Sequence, residues 1–358
     1  MENGRRMQRI VHAAFALTLG WAMGHAASGP LAVSVYATAG DVQAHLADAE
    51  KGAQVLPLLK QLGVSRVFVE GRRGDEHVPP EVLAKVRTFL ESHGIRATGG
   101  IATVPGSSFG VRQEGGLDWL NWEAEKTRND IAGFFANQAK VFDEIIVDDF
   151  FCTGDTSAQA ERGRAGRSWS TYRRDLLVSS IDPLMRRPAE GTRPGVRLII
   201  KFPQWYDRFH VFGYDPPRMS EKFDEVWVGT EVRNPRTRRM GYVQPTQGYM
   251  NYRWLESMAG RKVCGAWFDH IECDAFQFVD QAYLSVLAGA PELTLFHLGD
   301  LVSRHPGSAL LAERLPDLRG LADTLRGKEP RGIFFYKPPG SDADNNLFLM
   351  DYLGMLGL

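Results

Sequence analysis

Eight short apolar runs recur along the chain, at residues 31–37, 66–71, 96–104, 144–151, 196–203, 225–231, 263–270 and 292–299. Helical patterns follow them at 41–62, 80–93, 122–141, 171–185, 249–259, 275–288 and 308–326. Only the stretch between the fifth and sixth runs, FHVFGYDPPRMSEKF, reads as an ordered loop with a short turn. Strands that repeatedly hand over to helices lie parallel, because a parallel neighbour is reached only through a crossover. Eight such units predict an α/β fold, the (β/α)8 TIM barrel, which takes ~250 residues and leaves room for insertions. A doubly wound open sheet is the alternative, and it usually carries GxGxxG after its first strand. VYATAGD, beginning at Val35, does not supply it.

The ends of the chain fall outside this repeat. Arg5, Arg6 and Arg9 precede an apolar stretch from Ile10 to Met23, and the small residues of GHAAS follow. That order predicts a signal peptide over residues 1–26, too short to span a membrane, for which ~20 apolar residues are needed. The mature protein is then expected to be secreted or periplasmic, with the barrel over 27–326 and no membrane partner after cleavage. Residues 327–358 read as an extension of one strand, a Pro/Gly turn and a short apolar helix packed on the barrel. Cleavage would remove three Arg and one Glu, moving the formal charge from −1 to −3. A balance so near neutrality argues against nucleic acid as a partner.

Polar residues close most of the predicted strands: Glu70, Asp148 with Asp149, Lys201, Glu231, Asp269 with His270, and His297 with Asp300. Barrel active sites are built at the carboxyl ends of the strands, so these groups are expected to share one cleft. Two carboxyls across a cleft are the minimum equipment for glycoside hydrolysis, one ionised and the other holding a proton. Asp148 and Glu231 suit the two roles. Each also has a plainer reading: Asp148 ion-paired to Lys201 for structure alone, and Glu231 paired to Arg233 or Arg236. Asp269 is the first replacement for Glu231. Aromatic residues crowd the same strand ends, among them Tyr36, Trp119, Trp122, Phe150, Phe151, Trp205, Tyr206 and Trp267. Flat rings of this kind stack on sugar faces.

FDEIIVDD, from Phe142 to Asp149, resembles the fourth strand of (β/α)8 glycosidases of the α-galactosidase and endo-α-galactosaminidase kind. In those families an FDG-type opening leads five residues on to an inward Asp. KFPQWYDRF and WVGTEVRNP are similar to stretches of secreted bacterial barrel proteins assigned as glycoside hydrolases. The resemblance implies that Asp148, five residues after Asp143, is the nucleophile of a retaining mechanism and Glu231 its acid/base. The chain departs from the β-galactosidase-like pattern, with Asp148–Asp149 where Asn-Glu stands at strand four and Asp269 where Glu stands at strand seven. The expected function is therefore glycoside hydrolysis on a carbohydrate substrate, without metal or organic cofactor. Glu70, Asp149, Lys201, Trp205, Tyr206, Trp267, Asp269 and His297 are the expected substrate-binding residues. A barrel that binds carbohydrate without turnover is the competing reading.

Other chemistries lack parts. LAVSVYA has no His pair for a metal-dependent amidohydrolase, and no GxSxG elbow occurs. Three Cys allow at most one disulfide. Cys264 reads as a core residue of the seventh strand, while Cys152 and Cys273 lie just past strand ends and are placed to pair.

Overall fold

The computed structural model describes residues 29–148, 150–236, 243–328, 330–333, 335–341 and 349–356. The predicted signal peptide and Asp149 lie outside the described residues. Eight parallel strands form the barrel: β1 Ala32–Ala37, β2 Val64–Arg73, β3 Arg96–Ala102, β4 Glu144–Val147, β5 Arg197–Phe202, β6 Glu225–Gly229, β7 Val263–Asp269 and β8 Glu292–Phe296. They pair in sequence order from β2 to β8, β8 pairs with β1, and β1 pairs with β2 to close the circle. All eight predicted strands are present.

Alternation along a strand puts residues i and i+2 on one face, and the barrel interior follows from that rule. Tyr36, Phe68, Ile146, Ile199, Trp227 and Trp267 form a small inner cluster, separate from the larger core between sheet and helices. Gly100 of β3 contributes no side chain; a Cβ there would lie 3.2 Å from the Tyr36 hydroxyl, so the tyrosine fills the space. Two residues before the inner ones, β2, β4, β6 and β8 carry Arg66, Glu144, Glu225 and Glu292. These form a charged floor at the amino end of the barrel. Arg66 pairs with Glu292 at 3.5 Å, and Arg197 pairs with Glu144 at 3.0 Å and with Glu225. The Arg66 guanidinium also lies 5.2 Å from the Phe68 and Trp227 ring centroids. Two residues after the inner ones come Glu70 and Asp148, at the opposite end.

Several helices depart from their predicted forms for local reasons. The pattern over 41–62 is broken: a short turn ends, and a new helix, Ala49–Gln61, starts where the Asp48 carboxylate accepts from the Lys51 amide at 2.9 Å. The fifth-to-sixth connection holds a 3-10 turn, Tyr206–Phe212, and a helix, Pro216–Lys222. Asp215 caps that helix and its prolines occupy the first turn, where a missing N–H is harmless. The strand expected in the C-terminal extension is not formed over residues 330–333 and 335–341. A closed barrel has no free edge to receive it. The extension instead meets the helix Gln247–Ala259: the Trp254 indole donates to the Lys337 carbonyl at 3.0 Å, and the helix Leu349–Met355 sets Gly354 beside Thr246 and Met250.

No disulfide joins Cys152 and Cys273. They follow β4 and β7, three strand spacings of about 4.8 Å apart around the barrel, whereas a disulfide needs Cα atoms within about 7 Å. The Cys152 carbonyl accepts from the Trp122 indole at 3.0 Å, and the Cys273 thiol lies 3.5 Å from the Ile271 carbonyl. Oxidised, denatured protein should therefore label at three thiols; a single labelled thiol would contradict this arrangement.

The charged floor predicts a pH dependence. Burial pushes the Glu292 carboxyl up to about 7. A carboxyl with a raised folded pKa contributes stability that is present below about pH 4.5 and lost as pH rises through about 7. Between those limits the wild type should lose up to about 3 kcal/mol relative to Glu292→Gln. Urea unfolding of both proteins across the range measures it; a gap that does not change with pH would refute it.

Candidate active site

β2 is where the carboxyl-end cleft begins. Glu70 faces inward beside Gly100 of β3, and regular alternation would turn Arg73 outward. The register instead slips by one between Glu70 and Arg72, leaving Gly71 as an extra residue. A bulge of this kind re-aims the side chains beyond it, so Arg73 returns to the inner face opposite Ala102. A Cβ on Gly71 would lie 2.1 Å from the Gln138 side-chain amide. Arg73 grips Glu70 through two bonds of 3.0 and 2.8 Å and reaches Asp148 at 2.9 Å.

Glu70 is fully buried and has every contact a carboxylate of its size requires. It accepts from the Tyr36 hydroxyl at 2.7 Å and the Ala39 amide at 2.8 Å, besides Arg73. Burial raises its pKa, and Arg73 with the hydrogen bonds only partly offsets that. Burial and the negative charges of Glu70 and Asp148 hold the Tyr36 phenol protonated, so it stays a donor. Burial opposes the Arg73 charge, but Glu70 and Asp148 outweigh it and keep the guanidinium charged.

Two more ion pairs continue around the rim. Lys201, at the end of β5, donates to Glu231 at 2.7 Å, and both side chains are almost wholly buried. Arg233 forks onto Asp269 through bonds of 2.9 and 2.6 Å. The plainer readings from sequence are thus rearranged: Arg73 supplies a cation to Asp148, Lys201 one to Glu231, and Arg233 goes to Asp269. Breaking such a buried pair costs about 3–5 kcal/mol, because it strands a charge.

β8 and β1 close the circle with a chain of histidines and acids. His297 lies with Nδ1 2.7 Å from Asp41 and Nε2 2.6 Å from Asp300; His270 Nδ1 is 3.2 Å from the same Asp300. A carboxylate at each ring nitrogen favours the imidazolium form of His297. Burial disfavours that charge, but Asp41 and Asp300 outweigh it and raise the pKa; burial lowers that of His270.

The predicted aromatics divide. Trp267 floors the cleft, its ring centroid 4.6 Å from that of Tyr36 and 5.2 Å from the Lys201 ammonium. Trp205 is half-buried among Phe209, Phe212 and Tyr214 at the edge of the loop after β5. Tyr206 is buried against Trp254, in the packing outside the sheet. Asp143, which opens the FDEIIVDD motif, sits at the other end of β4 and clamps Arg87 and Arg193 at 2.8 and 2.6 Å. Arg73 and Asp41 were not singled out in the sequence; Gly71 inside a strand was the available sign of a bulge. Among the described residues, no cluster of three or more His, Cys, Asp and Glu side chains could hold a metal ion.

Comparison with known proteins bears on this cleft. The profile of the family described as "Probable glycosyl hydrolase, catalytic domain" matches residues 22–309. The chain belongs to that glycosyl hydrolase family. An uncharacterized protein of Saccharolobus solfataricus is 24% identical over 299 residues, covering 75% of this chain and 49% of the relative. The chain thus spans about half the length of the curated relative it matches. The glycoside hydrolase domain of PgaB (BpsB) from Bordetella bronchiseptica superposes with a TM-score of 0.61 at 12% identity, over 80% of this chain and 99% of that one. The catalytic domain of β-amylase from Paenibacillus polymyxa gives 0.54 at 12% identity, over 75% and 93%. Both likenesses are of fold. Together with the barrel, the family membership bears out the expectation of a glycoside hydrolase.

The histidine chain gives a direct test of the electrostatics. In an NMR titration, His297 should keep its proton above the ordinary histidine value near 6.5 and His270 should lose its proton below it. The stability that His297 contributes is present below about pH 6.5 and lost as pH rises through its raised value. His297→Gln should remove that dependence. Reversed order of the two titrations would refute the reading.

Proposed function

We propose that this glycosyl hydrolase cleaves a glycosidic bond in an oligo- or polysaccharide with retention, using Asp148 as nucleophile and Glu231 as acid/base. The observation that carries the assignment is the buried Arg73–Asp148 pair at the mouth. A guanidinium at 2.9 Å favours the ionised carboxylate that a nucleophile must be. Lys201, Trp267 and His297 line the same end and offer contacts to sugar hydroxyls and ring faces, as do Glu70 and Asp269 through the cations they hold. Asp149, next in sequence to the nucleophile, orients a loop or a substrate hydroxyl. Residues 1–26 direct export, so the substrate is met outside the cytoplasm.

One observation favours a second reading, with the two roles exchanged. Lys201 at 2.7 Å works against a proton on Glu231. Arg73 meanwhile serves two buried carboxylates, Glu70 and Asp148, so it favours the anion of each less than a cation of its own would. In the first reading, substrate draws the Lys201 ammonium onto a hydroxyl and frees Glu231 to take up the proton. In the second, Glu231 attacks and Asp148 donates.

Azide separates the two. Asp148→Asn should lose activity by at least about 10³-fold on any glycoside the wild type cleaves, while Asp149→Asn keeps a measurable fraction. Asp148→Gly with azide should yield a glycosyl azide of inverted configuration, because azide takes the place of the nucleophile. A product of retained configuration would assign Asp148 as acid/base. Full activity in Asp148→Asn would remove it from the mechanism.

A further inference from the structure

We propose that Arg73 is a positioning residue for Asp148, aimed by the Gly71 bulge and anchored by Glu70, so that β2 sets the ionisation and direction of a carboxylate carried by β4. The proposal rests on the reading of Asp148 as a catalytic carboxyl. Three independent features support it. The bulge reverses the facing of Arg73, which regular alternation would point away from the cleft. Glu70 cannot serve as a mobile reactant: it is fully buried and accepts from Tyr36, from the Ala39 amide and twice from Arg73. Its place is to hold the guanidinium by the Nε–Nη2 edge. A further bond, from Nη2 to Asp148 Oδ2, then fixes the direction of that carboxylate.

The surroundings keep this bond strong. The Arg73 side chain is 23% exposed, and its guanidinium carbon lies 5.7 Å from the ring centroids of both Phe150 and Phe296. Rings on both sides limit its rotation and shield it from water, which strengthens the attraction to Asp148. Among the described residues, Glu70 and Arg73 from β2 and Tyr36 from β1 face Asp148. Lys201 stands one residue beyond the Val147–Ile200 pair on β5, with Glu231 behind it. His297, after β8, repels Arg73 at longer range. Of these, Arg73 is the cation that bridges the two buried acids.

The test uses the full chain, labelled with 13C at aspartate carboxyls and assigned by Asp148→Asn. In Arg73→Ala the Asp148 carboxyl should titrate about 1–3 pH units higher than in the wild type. The acid limb of kcat/KM should move up by the same amount, the loss should fall on kcat, and KM should change little. Added guanidinium at millimolar concentration should restore part of the activity to Arg73→Ala. Arg73→Lys, which keeps the charge but cannot span both acids, should show the smaller pH shift and a reduced kcat. An unchanged Asp148 titration in folded Arg73→Ala overturns the proposal. Where Arg73→Ala does not fold, Arg73→Lys decides, and a wild-type kcat with a wild-type acid limb overturns it. A shifted titration in a protein that cleaves no glycoside would keep the Arg73 coupling and sink the hydrolytic mechanism instead. An active enzyme with no shift would sink only the role of Arg73.

Discussion

A carboxylate carried into the dry interior of a barrel must find a cation or a proton, and both ends of this barrel are organised by that demand. The penalty is several kcal/mol per ion, comparable with what burying one or two large apolar side chains contributes. At the amino end, Arg66 and Arg197 meet Glu292, Glu144 and Glu225. At the carboxyl end, Arg73, Lys201 and Arg233 meet Glu70, Asp148, Glu231 and Asp269. The six inner apolar residues between them keep the two charged layers apart. The interior thus reads charge, oil, charge along β2, β4 and β5. This is why one strand can be chemically active at one end and structural at the other.

The two layers differ in how complete the neutralisation is. Lys201 pairs with Glu231, and Arg233 pairs with Asp269. Arg73 is shared by two acids, whereas the floor sets Arg66, Arg96 and Arg197 against Glu292, Glu144 and Glu225. One guanidinium shared by two buried carboxylates offsets each negative charge less than a separate cation would, which raises their affinity for a proton. That makes the β2–β4 side of the mouth the side whose charge a ligand can most readily alter.

Most of the fold was legible because the strands are buried on both faces, which makes them continuous apolar runs bounded by polar ends. Ile145, Ile146 and Val147 between Glu144 and Asp148 show this most clearly. Asp148 was legible too, since its parity with Ile146 follows from strand alternation alone. Arg73 was not, because its facing depends on a register slip that no periodicity records. The partners of Lys201 and Glu231 were equally hidden: pairing is settled by which strands are neighbours around the circle, not by distance along the chain. The Cys152–Cys273 bond that the sequence left open is not formed for the same reason, since both follow strand ends on one face of the barrel but at positions well apart around it. The helix Pro216–Lys222 was masked by its two prolines, which read as breakers until Asp215 is seen capping them.

Gly100 shows how far a missing side chain can reach. The space above it is occupied by the Tyr36 hydroxyl, which bonds Glu70; Glu70 holds Arg73, and Arg73 holds Asp148. Four contacts thus link an unreactive backbone position on β3 to the carboxylate that follows β4. For a protein engineer, position 100 is a dial set away from the substrate: each added methyl group would lever the phenol aside and loosen the carboxylate in small steps. Variation in catalytic power among enzymes built this way could then accumulate at a residue that touches neither sugar nor charge.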